Sequence, residues 1–438
     1  MSKIQRQAEF ELQNWRREKR RKPLLLQGAR QVGKTWLLKE FGKKQFSDVA
    51  YFNFEEEPNL KQFFETTKDV HRILENLSLV HRRRIEPEKT LIIFDEIQEC
   101  NAALNSLKYF HENAPEYFVA GAGSLLGVAL SRGNGFPVGK VNFLEIHPLN
   151  FSEFLSAYDH PLAEYLPSID EVKPIPDLFY GQLKEKLKMY FISGGMPEVV
   201  VSLLQKGVES AEKVQREILQ AYTLDFSKYA ETRDIPRINH IWQSIPSQLA
   251  RENKKFIYKK VRSGARAREY EDALLWLNQA GLIHQIFRCS KPGHPLSAYY
   301  DLSSFKTYLL DVGLLRNLSR LDQSVLITGD RLFTEFKGAL TENFVLQHLL
   351  NQFANIPGYW NSGNQAEVDF LLEYKNNIIP IEVKSDENIK SRSLTEYFKK
   401  FNPPLRIRYS HRNLEFRDGM LNIPLFMIDH TKKLMEVI

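Results

Sequence analysis

A glycine-bounded loop near the N-terminus has the residue types that hold phosphate. The octapeptide GARQVGKT occupies residues 28–35 and follows residues 23–27, which are predicted to form a short buried strand of consecutive leucines. The segment TWLLKEF, which starts at Thr35, has apolar residues at helical spacing. Glycines let a backbone wrap closely around phosphate oxygens, and the free amides at the start of a helix attract anions. The sequence therefore predicts a strand, a phosphate-binding loop and a helix. The alternative, a chance match in a glycine-containing loop, is disfavoured by these flanks.

The side chains of this loop have expected positions at a bound nucleotide. We expect Lys34 to reach the β- and γ-phosphates of ATP and to act in catalysis, and Thr35 to place its hydroxyl on Mg²⁺. The amides of residues 32–35 are expected to point at the β-phosphate. The predicted nucleotide-binding residues are Gly28, Ala29, Arg30, Gln31, Val32, Gly33, Lys34, Thr35, Trp36 and, further along the chain, Ser124.

An acidic pair follows a second apolar run. Residues 91–94 are continuously apolar, as in a central parallel strand, and Asp95 and Glu96 follow at its carboxyl end. Ligands of open α/β sheets bind at that end of the strands. We therefore expect Asp95 to bind Mg²⁺ through water and Glu96 to orient and polarise the attacking water. An exposed acidic pair is the alternative interpretation.

Residues 116–120 predict another buried strand, with the turn GAGS after it. Ser124 is then expected near the γ-phosphate as a polar sensor. Arg132 or Lys140 is a candidate for stabilising charge on the transferring phosphoryl group, with a solvated loop charge as the commoner alternative for each.

These motifs and the later stretch HPLNFSEFL resemble prokaryotic ATPases of the AAA superfamily, in which a P-loop module precedes a poorly characterised C-terminal domain. The resemblance implies ATP hydrolysis with Mg²⁺. This chain has Gly139–Lys140 where the family pattern has Gly-Arg, and Ala122 where serine is common. Both departures weaken the transfer of sensor and arginine-finger roles, but not of the phosphate-binding loop.

The middle of the chain predicts helices and then a winged helix. Residues 151–232 are interpreted as a helical lid, in which Gly194–Gly195 and Pro197 turn the chain between helices. Residues 233–303 are interpreted as a winged helix. In this interpretation FIYKKV forms a short strand and FRCSKPGHPL forms the wing. Its basic cluster suggests phosphate contacts with DNA, and packing between domains is the alternative. The members of this cluster are Lys259, Lys260, Arg262, Arg266 and Arg268.

A second set of chemically active residues lies near the C-terminus. EVDFLLEY and IIPIEVKS predict two strands joined by a hairpin turn at Asn376–Asn377. Glu382 and Lys384 then share one face, and the strand pairing brings Asp369 beside Glu382.

Such an Asp, Glu and Lys set can act as a metal-dependent catalytic site for phosphodiester cleavage. Asp369 and Glu382 are the expected Mg²⁺ ligands, Lys384 positions water, Glu342 completes the metal shell, and Glu367 is a reserve ligand. The pattern resembles the PD-(D/E)xK nuclease superfamily. A charged ladder on a sheet, or a nuclease fold without turnover, is the alternative.

The complete prediction is an α/β protein with four segments. They are a parallel-sheet P-loop ATPase domain (1–150), a helical lid (151–232), a winged-helix-like module (233–303) and a restriction-endonuclease-like α/β domain (304–438). The expected function is ATP hydrolysis linked to DNA, with magnesium-dependent cleavage by the last domain. The competing hypotheses are a non-nucleolytic nucleotide switch with a C-terminal docking module, and a regulator that couples nucleotide state to transcription.

Composition is consistent with this interpretation. The 438 residues are 43% hydrophobic and 26% charged, with a net charge of +6, which permits nucleic-acid binding without requiring it. No apolar run approaches the roughly 20 residues of a membrane span, and the basic N-terminus lacks the apolar stretch of a secretory signal. Two cysteines fit a reducing compartment. We expect a cytoplasmic protein without a membrane partner, and a homo-oligomer is left open.

Overall fold

A computed structural model describes residues 4–131, 139–251, 253–328, 334–363, 366–385 and 392–438. The chain forms two compact units. The N-terminal unit comprises Gln5–His147 together with Gln279–Gly281. The C-terminal unit comprises chiefly Pro148–Asn278 and Leu282–Ile438. Each unit has its own sheet, and the two are described in turn.

The N-terminal unit is built on a five-stranded sheet in which every pairing is parallel. The strand order is β2-β3-β4-β1-β5, so β1 and β3 lie on either side of β4. Apolar runs without alternation are typical of such strands because both faces are covered, and every residue of β3 is buried. The strands are β1 Leu24–Gln27, β2 Asp48–Asn53, β3 Thr90–Asp95, β4 Phe118–Ala122 and β5 Asn142–Glu145.

Within the described residues of this unit, six α-helices accompany the sheet. The ring of Phe94 packs edge-to-face or tilted against three other phenylalanines, Phe54, Phe64 and Phe110. The centroid of the Phe94 ring lies 5.5 Å from that of Phe64 and 6.1 Å from that of Phe110. This aromatic core holds the carboxyl end of β3 in place. The helices are α1 Ala8–Arg17, α2 Lys34–Gln45, α3 Gln62–Glu65, α4 Val70–His81, α5 Asn101–Asn113 and α6 Leu126–Ser131.

The parallel α/β sheet is confirmed, and one strand boundary is corrected. The strand predicted at 116–120 is β4, which runs two residues further, from Phe118 to Ala122. Gly121 continues the strand because its missing side chain leaves room for Leu25, whose Cδ2 would lie 2.7 Å from a Cβ at that position. Ser124 still follows the end of the strand.

The C-terminal unit begins with a helical region. Helix α9 ends at Ser193 and α10 begins at Pro197, so Gly194–Gly195 turn the chain between helices as predicted. The helices of this unit are α7 Phe151–Tyr158, α8 His160–Ser168, α9 Asp177–Ser193, α10 Pro197–Lys206, α11 Val208–Tyr229, α12 Ile235–Leu249, α13 Tyr258–Val261, α14 Ala267–Gln279, α15 Val312–Leu318, α16 Gln323–Thr328, α17 Thr334–Gln352, α18 Arg392–Phe401 and α19 Thr431–Glu436.

Within the described residues, none of the helices alone is sufficiently long and apolar to cross a bilayer. The pair α9 and α10, bent by 117° at their junction, meets the length and composition test only when taken together.

An eight-stranded mixed sheet forms the other part of the C-terminal unit, in the order β12-β13-β11-β10-β9-β8-β6-β7. Pairs β8–β9 and β9–β10 are antiparallel, whereas β10–β11 is parallel. The last strands of the chain extend the sheet beyond β10. The strands are β6 Ile283–Cys289, β7 Tyr300–Leu309, β8 Gly358–Asn361, β9 Glu367–Tyr374, β10 Asn377–Val383, β11 Arg406–Ser410, β12 Glu415–Arg417 and β13 Met420–Pro424.

Two local predictions in this unit are wrong. The strand expected at FIYKKV is instead the short helix α13, because the Lys260 amide bonds to the Ile257 carbonyl and starts a turn directly after Phe256. The hairpin turn is Lys375–Asn376, one residue before the predicted pair. Tyr374 pairs with Asn377 across the turn, and in this register the buried Leu372 lies opposite the buried Ile379. The position of the turn therefore follows from the register that pairs these buried side chains.

Candidate functional site

The loop between β1 and α2 is shaped by backbone conformations that favour glycine. Gly28 has φ +135° and Gly33 has φ +93°. A Cβ at Gly28 would lie only 2.1 Å from the Ile146 carbonyl oxygen, so the loop can pass the end of β5 only with glycine there. Lys34 begins α2, and the amides of its first turn face the loop opening.

Lys34 lies inside this loop. It is buried, and its Nζ donates hydrogen bonds to the carbonyls of Gly28 at 2.8 Å and Ala29 at 2.7 Å. Burial lowers the pKa of Lys34 to about 8, while the carboxylates of Glu96 and Asp95 oppose that shift. An ammonium group held among backbone carbonyls and amides is positioned to meet phosphate oxygens at the mouth of the loop.

Thr35 and Asp95 are brought together by the sheet. The Thr35 hydroxyl lies 3.0 Å from Oδ1 and 2.9 Å from Oδ2 of Asp95, at the carboxyl end of β3. Tyr51 donates to Oδ2 at 2.7 Å. Asp95 is only 4% exposed, and burial raises its pKa above the usual value. Burial and the Asp95 carboxylate likewise raise the pKa of Tyr51, so the phenol keeps its proton.

A hydroxyl beside a carboxylate is the oxygen donor set that Mg²⁺ prefers when it also holds phosphate and water. Thr35 and Asp95 therefore fit the predicted metal. The other predicted residues of the loop differ in their exposure. Val32 and Ala29 are buried, Arg30 faces Glu55 at 3.9 Å, and the Trp36 side chain is 46% exposed.

Glu96 is held by two side chains that follow neighbouring strands. The Ser124 hydroxyl donates to its Oε1 at 2.8 Å, and the Ser124 amide to its Oε2 at 3.3 Å. Gln98 donates to Oε2 at 2.6 Å. Glu96 itself has φ +46°, a left-handed conformation that turns the chain directly after β3. The structure thus places Ser124 against Glu96, and Gln98 is a contact that the sequence did not single out.

The structure describes one of the two basic residues that the sequence offers for phosphate contact. The Lys140 ammonium lies 3.0 Å from a carboxylate oxygen of Glu112, so it is engaged on the protein surface. Arg132 lies outside the described residues.

In the C-terminal unit, β9 and β10 bring three of the predicted site residues together. Asp369 accepts a hydrogen bond from the Val383 amide at 2.8 Å, which places it beside Glu382. The Lys384 ammonium lies 3.0 Å from Oε1 of Glu382, which is 3% exposed. Burial and the Glu342 carboxylate raise the pKa of Asp369 to about 8, against the effect of nearby lysines.

Two lysines that the sequence analysis did not identify neutralise the neighbouring carboxylates. Lys254 forms an ion pair with Glu342, which also accepts from the Tyr308 hydroxyl at 2.9 Å. Lys306, with a fully buried side chain, lies 2.5 Å from Glu367. Lys306 and Tyr308 are two residues apart on β7 and so face the same side of the sheet, an alternation that is visible in the sequence but does not indicate their partners.

The C-terminal carboxylates do not fit the predicted metal site. Within the described part of the chain, no three His, Cys, Asp or Glu side chains are arranged to hold a metal ion. Glu342 is neutralised by Lys254, and Glu367 by Lys306. The arrangement can hold carboxylates and ammonium groups in a neutral cluster, and Asp369, Glu382 and Lys384 remain adjacent within it.

The wing predicted at 287–296 spans the end of β6 and the first part of the connection to β7. His294 Nδ1 lies 3.0 Å from an oxygen of Glu373, and the Leu296 amide donates to the other oxygen at 2.9 Å. This connection is therefore tied to the end of β9. The basic cluster behaves differently, because Lys259, Lys260 and the three arginines are all exposed.

Comparison with known proteins separates the chain into matched segments. Residues 20–155 match the family model described as AAA domain. Residues 184–325 match "Domain of unknown function (DUF8612)", and residues 337–428 match "Domain of unknown function (DUF4143)". No curated protein matches the chain. Residues 20–155, which include the loop, the parallel sheet and the Thr35–Asp95 contact, are therefore similar to AAA domains.

Several solved structures align with low scores. The ORC1 protein of Aeropyrum pernix in complex with DNA is 12% identical, with 74% of this chain and 95% of that chain covered and a TM-score of 0.26. AMPPCP-bound DnaA from Aquifex aeolicus is 13% identical, with coverages of 62% and 84% and a TM-score of 0.26. PCH-2 of C. elegans is 15% identical, with coverages of 43% and 60% and a TM-score of 0.27. These scores are too low to establish a shared architecture.

Proposed function

We propose that the AAA-type domain binds ATP with Mg²⁺ and hydrolyses it. The observation that carries this proposal is the contact between the Thr35 hydroxyl and the Asp95 carboxylate at 2.9–3.0 Å, beside a loop that encloses the Lys34 ammonium. Each group has a separate task. Loop amides and Lys34 hold the phosphates, and Thr35 and Asp95 are the groups that hold the ion, which offsets phosphate charge.

Glu96 is the group proposed to act on water. Its carboxylate stands one residue beyond Asp95, where a water molecule attacking the γ-phosphate has to be oriented. Ser124 and Gln98 fix both oxygens of this carboxylate, and Ser124 is thereby placed at the same edge of the sheet. Because Ser124 donates to Glu96, we assign it a positioning role in addition to its predicted role as a phosphate sensor.

Hydrolysis by wild type and Glu96→Gln tests this assignment. The amide keeps the size of the side chain but cannot accept a proton, so the variant should bind ATP and lose about 10²-fold or more in turnover. Glu99→Gln, three residues on, is the matched control and should keep the wild-type rate. Full turnover by Glu96→Gln refutes the role of Glu96 and leaves ATP binding to be judged separately.

We further propose DNA as a partner, bound by the basic cluster around α13 and α14. The support is that Lys259, Lys260, Arg262, Arg266 and Arg268 are exposed within ten residues of chain. Exposed Lys and Arg side chains contribute to binding the phosphate backbone regardless of sequence. The connection between β6 and β7 is less suited to this task, since Glu373 holds it against β9. The competing regulator hypothesis uses the same surface.

For the C-terminal domain two functions compete. Phosphodiester cleavage is supported by the adjacency of Asp369, Glu382 and Lys384 on paired strands. A non-nucleolytic docking module is favoured by the Lys254–Glu342 ion pair, because a carboxylate neutralised by lysine is a poor ligand for a cation. We propose the second as the better supported function, with the nuclease as the alternative.

Incubation with a panel of supercoiled, branched and single-stranded DNA, with and without ATP and Mg²⁺, separates the two. The docking function predicts no cleavage beyond that of Asp369→Ala and Lys384→Ala. Cleavage by wild type that both substitutions abolish establishes the nuclease instead. The division of residues 151–438 into lid, winged-helix-like and nuclease-like segments stays a prediction, as do the cytoplasmic location and the homo-oligomer.

A further inference from the structure

Tyr51 connects strand β2 to the carboxylate proposed to hold the metal ion. Strands β2 and β3 pair in parallel with Tyr51 opposite Ile93 and Asn53 opposite Asp95. Side chains two residues apart share a face of the sheet, so Tyr51 points to the same side as Asp95. Its long side chain reaches forward along the sheet, and its hydroxyl lies 2.7 Å from Asp95 Oδ2.

The position of this hydroxyl matters because Asp95 is shielded from water. The carboxylate is 4% exposed and receives hydrogen bonds from Thr35, Tyr51 and the Glu96 amide. If the Thr35 hydroxyl turns to an ion, as the proposed function requires, that donor leaves the carboxylate. The Tyr51 hydroxyl on Oδ2 and the Glu96 amide on Oδ1 then remain to hold the orientation of its two oxygens.

Tyr51 is itself fixed by neighbours on two sides. The Lys39 ammonium lies 3.4 Å from the centroid of its ring, and Asn53 donates to its hydroxyl oxygen at 3.3 Å. Lys39 is one helical turn beyond Thr35 on α2, so both lie on the same face of that helix. One face of α2 therefore contacts the carboxylate through Thr35 and the tyrosine through Lys39.

We infer that Tyr51 is a positioning residue for the metal-binding carboxylate Asp95 and sets the affinity of the nucleotide site for magnesium. This inference rests on the proposed ATPase function. It assigns to Tyr51 no contact with ATP or with the ion. Partners that orient a metal ligand typically contribute about 10- to 100-fold in metal affinity, so the loss of one hydroxyl should be measurable.

The test is a calorimetric titration of a non-hydrolysable ATP analogue into full-length wild type and Tyr51→Phe at a series of magnesium concentrations and in EDTA. Phenylalanine keeps the ring under Lys39 and removes only the hydroxyl. The expected result is about a ten-fold higher magnesium concentration for the half-maximal gain in affinity, with unchanged affinity in EDTA. Tyr109→Phe, a partly buried tyrosine on α5 with Lys108 beside its ring, is the matched control and should behave as wild type.

The possible outcomes distinguish the inference from the function on which it rests. An unchanged magnesium requirement in Tyr51→Phe overturns the positioning role while leaving the ATPase proposal intact. An equal loss of affinity in EDTA also overturns it, because the effect is then structural rather than linked to the ion. Failure of folded wild-type protein to bind the analogue under every condition refutes the proposed function itself.

Discussion

The Thr35 hydroxyl and the Asp95 carboxylate meet at 2.9 Å although sixty residues of chain separate them. The contact exists because β1 and β3 both lie next to β4, so that the loop after β1 and the end of β3 open at the same edge of the sheet. A helix start and a strand end are thereby combined in one site, and the chemistry of the domain depends on both.

Substitution of Thr35 should separate the hydroxyl from the rest of the loop. Thr35→Ala removes the oxygen that faces Asp95 and should reduce the gain in ATP affinity produced by magnesium by roughly ten-fold, about 1.4 kcal/mol. Thr35→Ser restores the hydroxyl and should retain that gain. Titration calorimetry with and without Mg²⁺ measures it. Equal magnesium dependence in the alanine and serine variants would contradict the assignment of Thr35 as a ligand.

Lys306→Met should destabilise the C-terminal unit. The ammonium is fully enclosed and pairs with Glu367, so its removal leaves carboxylates without their counter-charge, at a cost of about 3 kcal/mol in the free energy of unfolding. Urea denaturation followed by circular dichroism measures the change. Lys399→Met, which removes a surface lysine paired with Glu396, should change stability by less than about 1 kcal/mol. Similar small effects from both substitutions would show that the buried pair has no special role.

Asp311 should make stability depend on pH. Its carboxyl group is buried and accepts from the Gly195 and Leu314 amides, and burial raises its pKa from 3.8 to about 6. Between these values the folded chain holds a proton that the unfolded chain releases. The stabilising contribution of the Asp311 proton to the free energy of unfolding is therefore complete below pH 3.8 and is lost as the pH rises through about 6. The free energy of unfolding should fall by about 3 kcal/mol over this interval.

Urea denaturation of wild type and Asp311→Asn from about pH 4 to about pH 7 isolates this contribution. The stability of wild type relative to the variant should fall across the interval. The variant supplies the baseline, because asparagine does not titrate and all other groups are shared. Parallel profiles for the two proteins would mean that Asp311 has an ordinary pKa.

Charge reversal in the basic cluster should weaken DNA binding in a salt-dependent way. Arg266→Glu with Arg268→Glu removes two exposed cations, so the slope of log affinity against log salt should become shallower by about 2. Fluorescence anisotropy with labelled duplex DNA measures the slope. Lys188→Glu with Lys213→Glu makes the same change in net charge on α9 and α11 and should leave most of the slope in place. Equal effects of the two pairs would refute a localised DNA surface.

The site of the N-terminal unit is predictable because its chemistry is local. The loop 28–35 is contiguous, and Asp95 with Glu96 ends an apolar run whose burial follows from its composition. Their meeting at one edge follows from the parallel sheet. The sequence predicts Ser124 near the phosphate, and the structure adds that its hydroxyl donates a hydrogen bond to Glu96.

The C-terminal unit was harder to predict because its contacts join distant residues. The pairing of Asp369 with the end of β10 follows from a hairpin, where neighbouring strands are close in sequence. Lys254 reaches Glu342 across 88 residues, and Lys306 reaches Glu367 across 61, contacts that no local pattern indicates. The segment Tyr258–Val261 is a helix and not the predicted strand, because the Lys260 amide bonds to the Ile257 carbonyl and closes a helical turn after Phe256.

The most direct test of the account is calorimetric titration of ATP with Mg²⁺ into the full-length protein and into Lys34→Ala. Lys43→Ala, which removes an exposed lysine from the same helix, is the control for loss of charge. We predict saturable binding at one site per chain in wild type and Lys43→Ala, and loss of that binding in Lys34→Ala. Absence of ATP uptake by well-folded wild-type protein, or undiminished uptake by Lys34→Ala, would contradict the central claim.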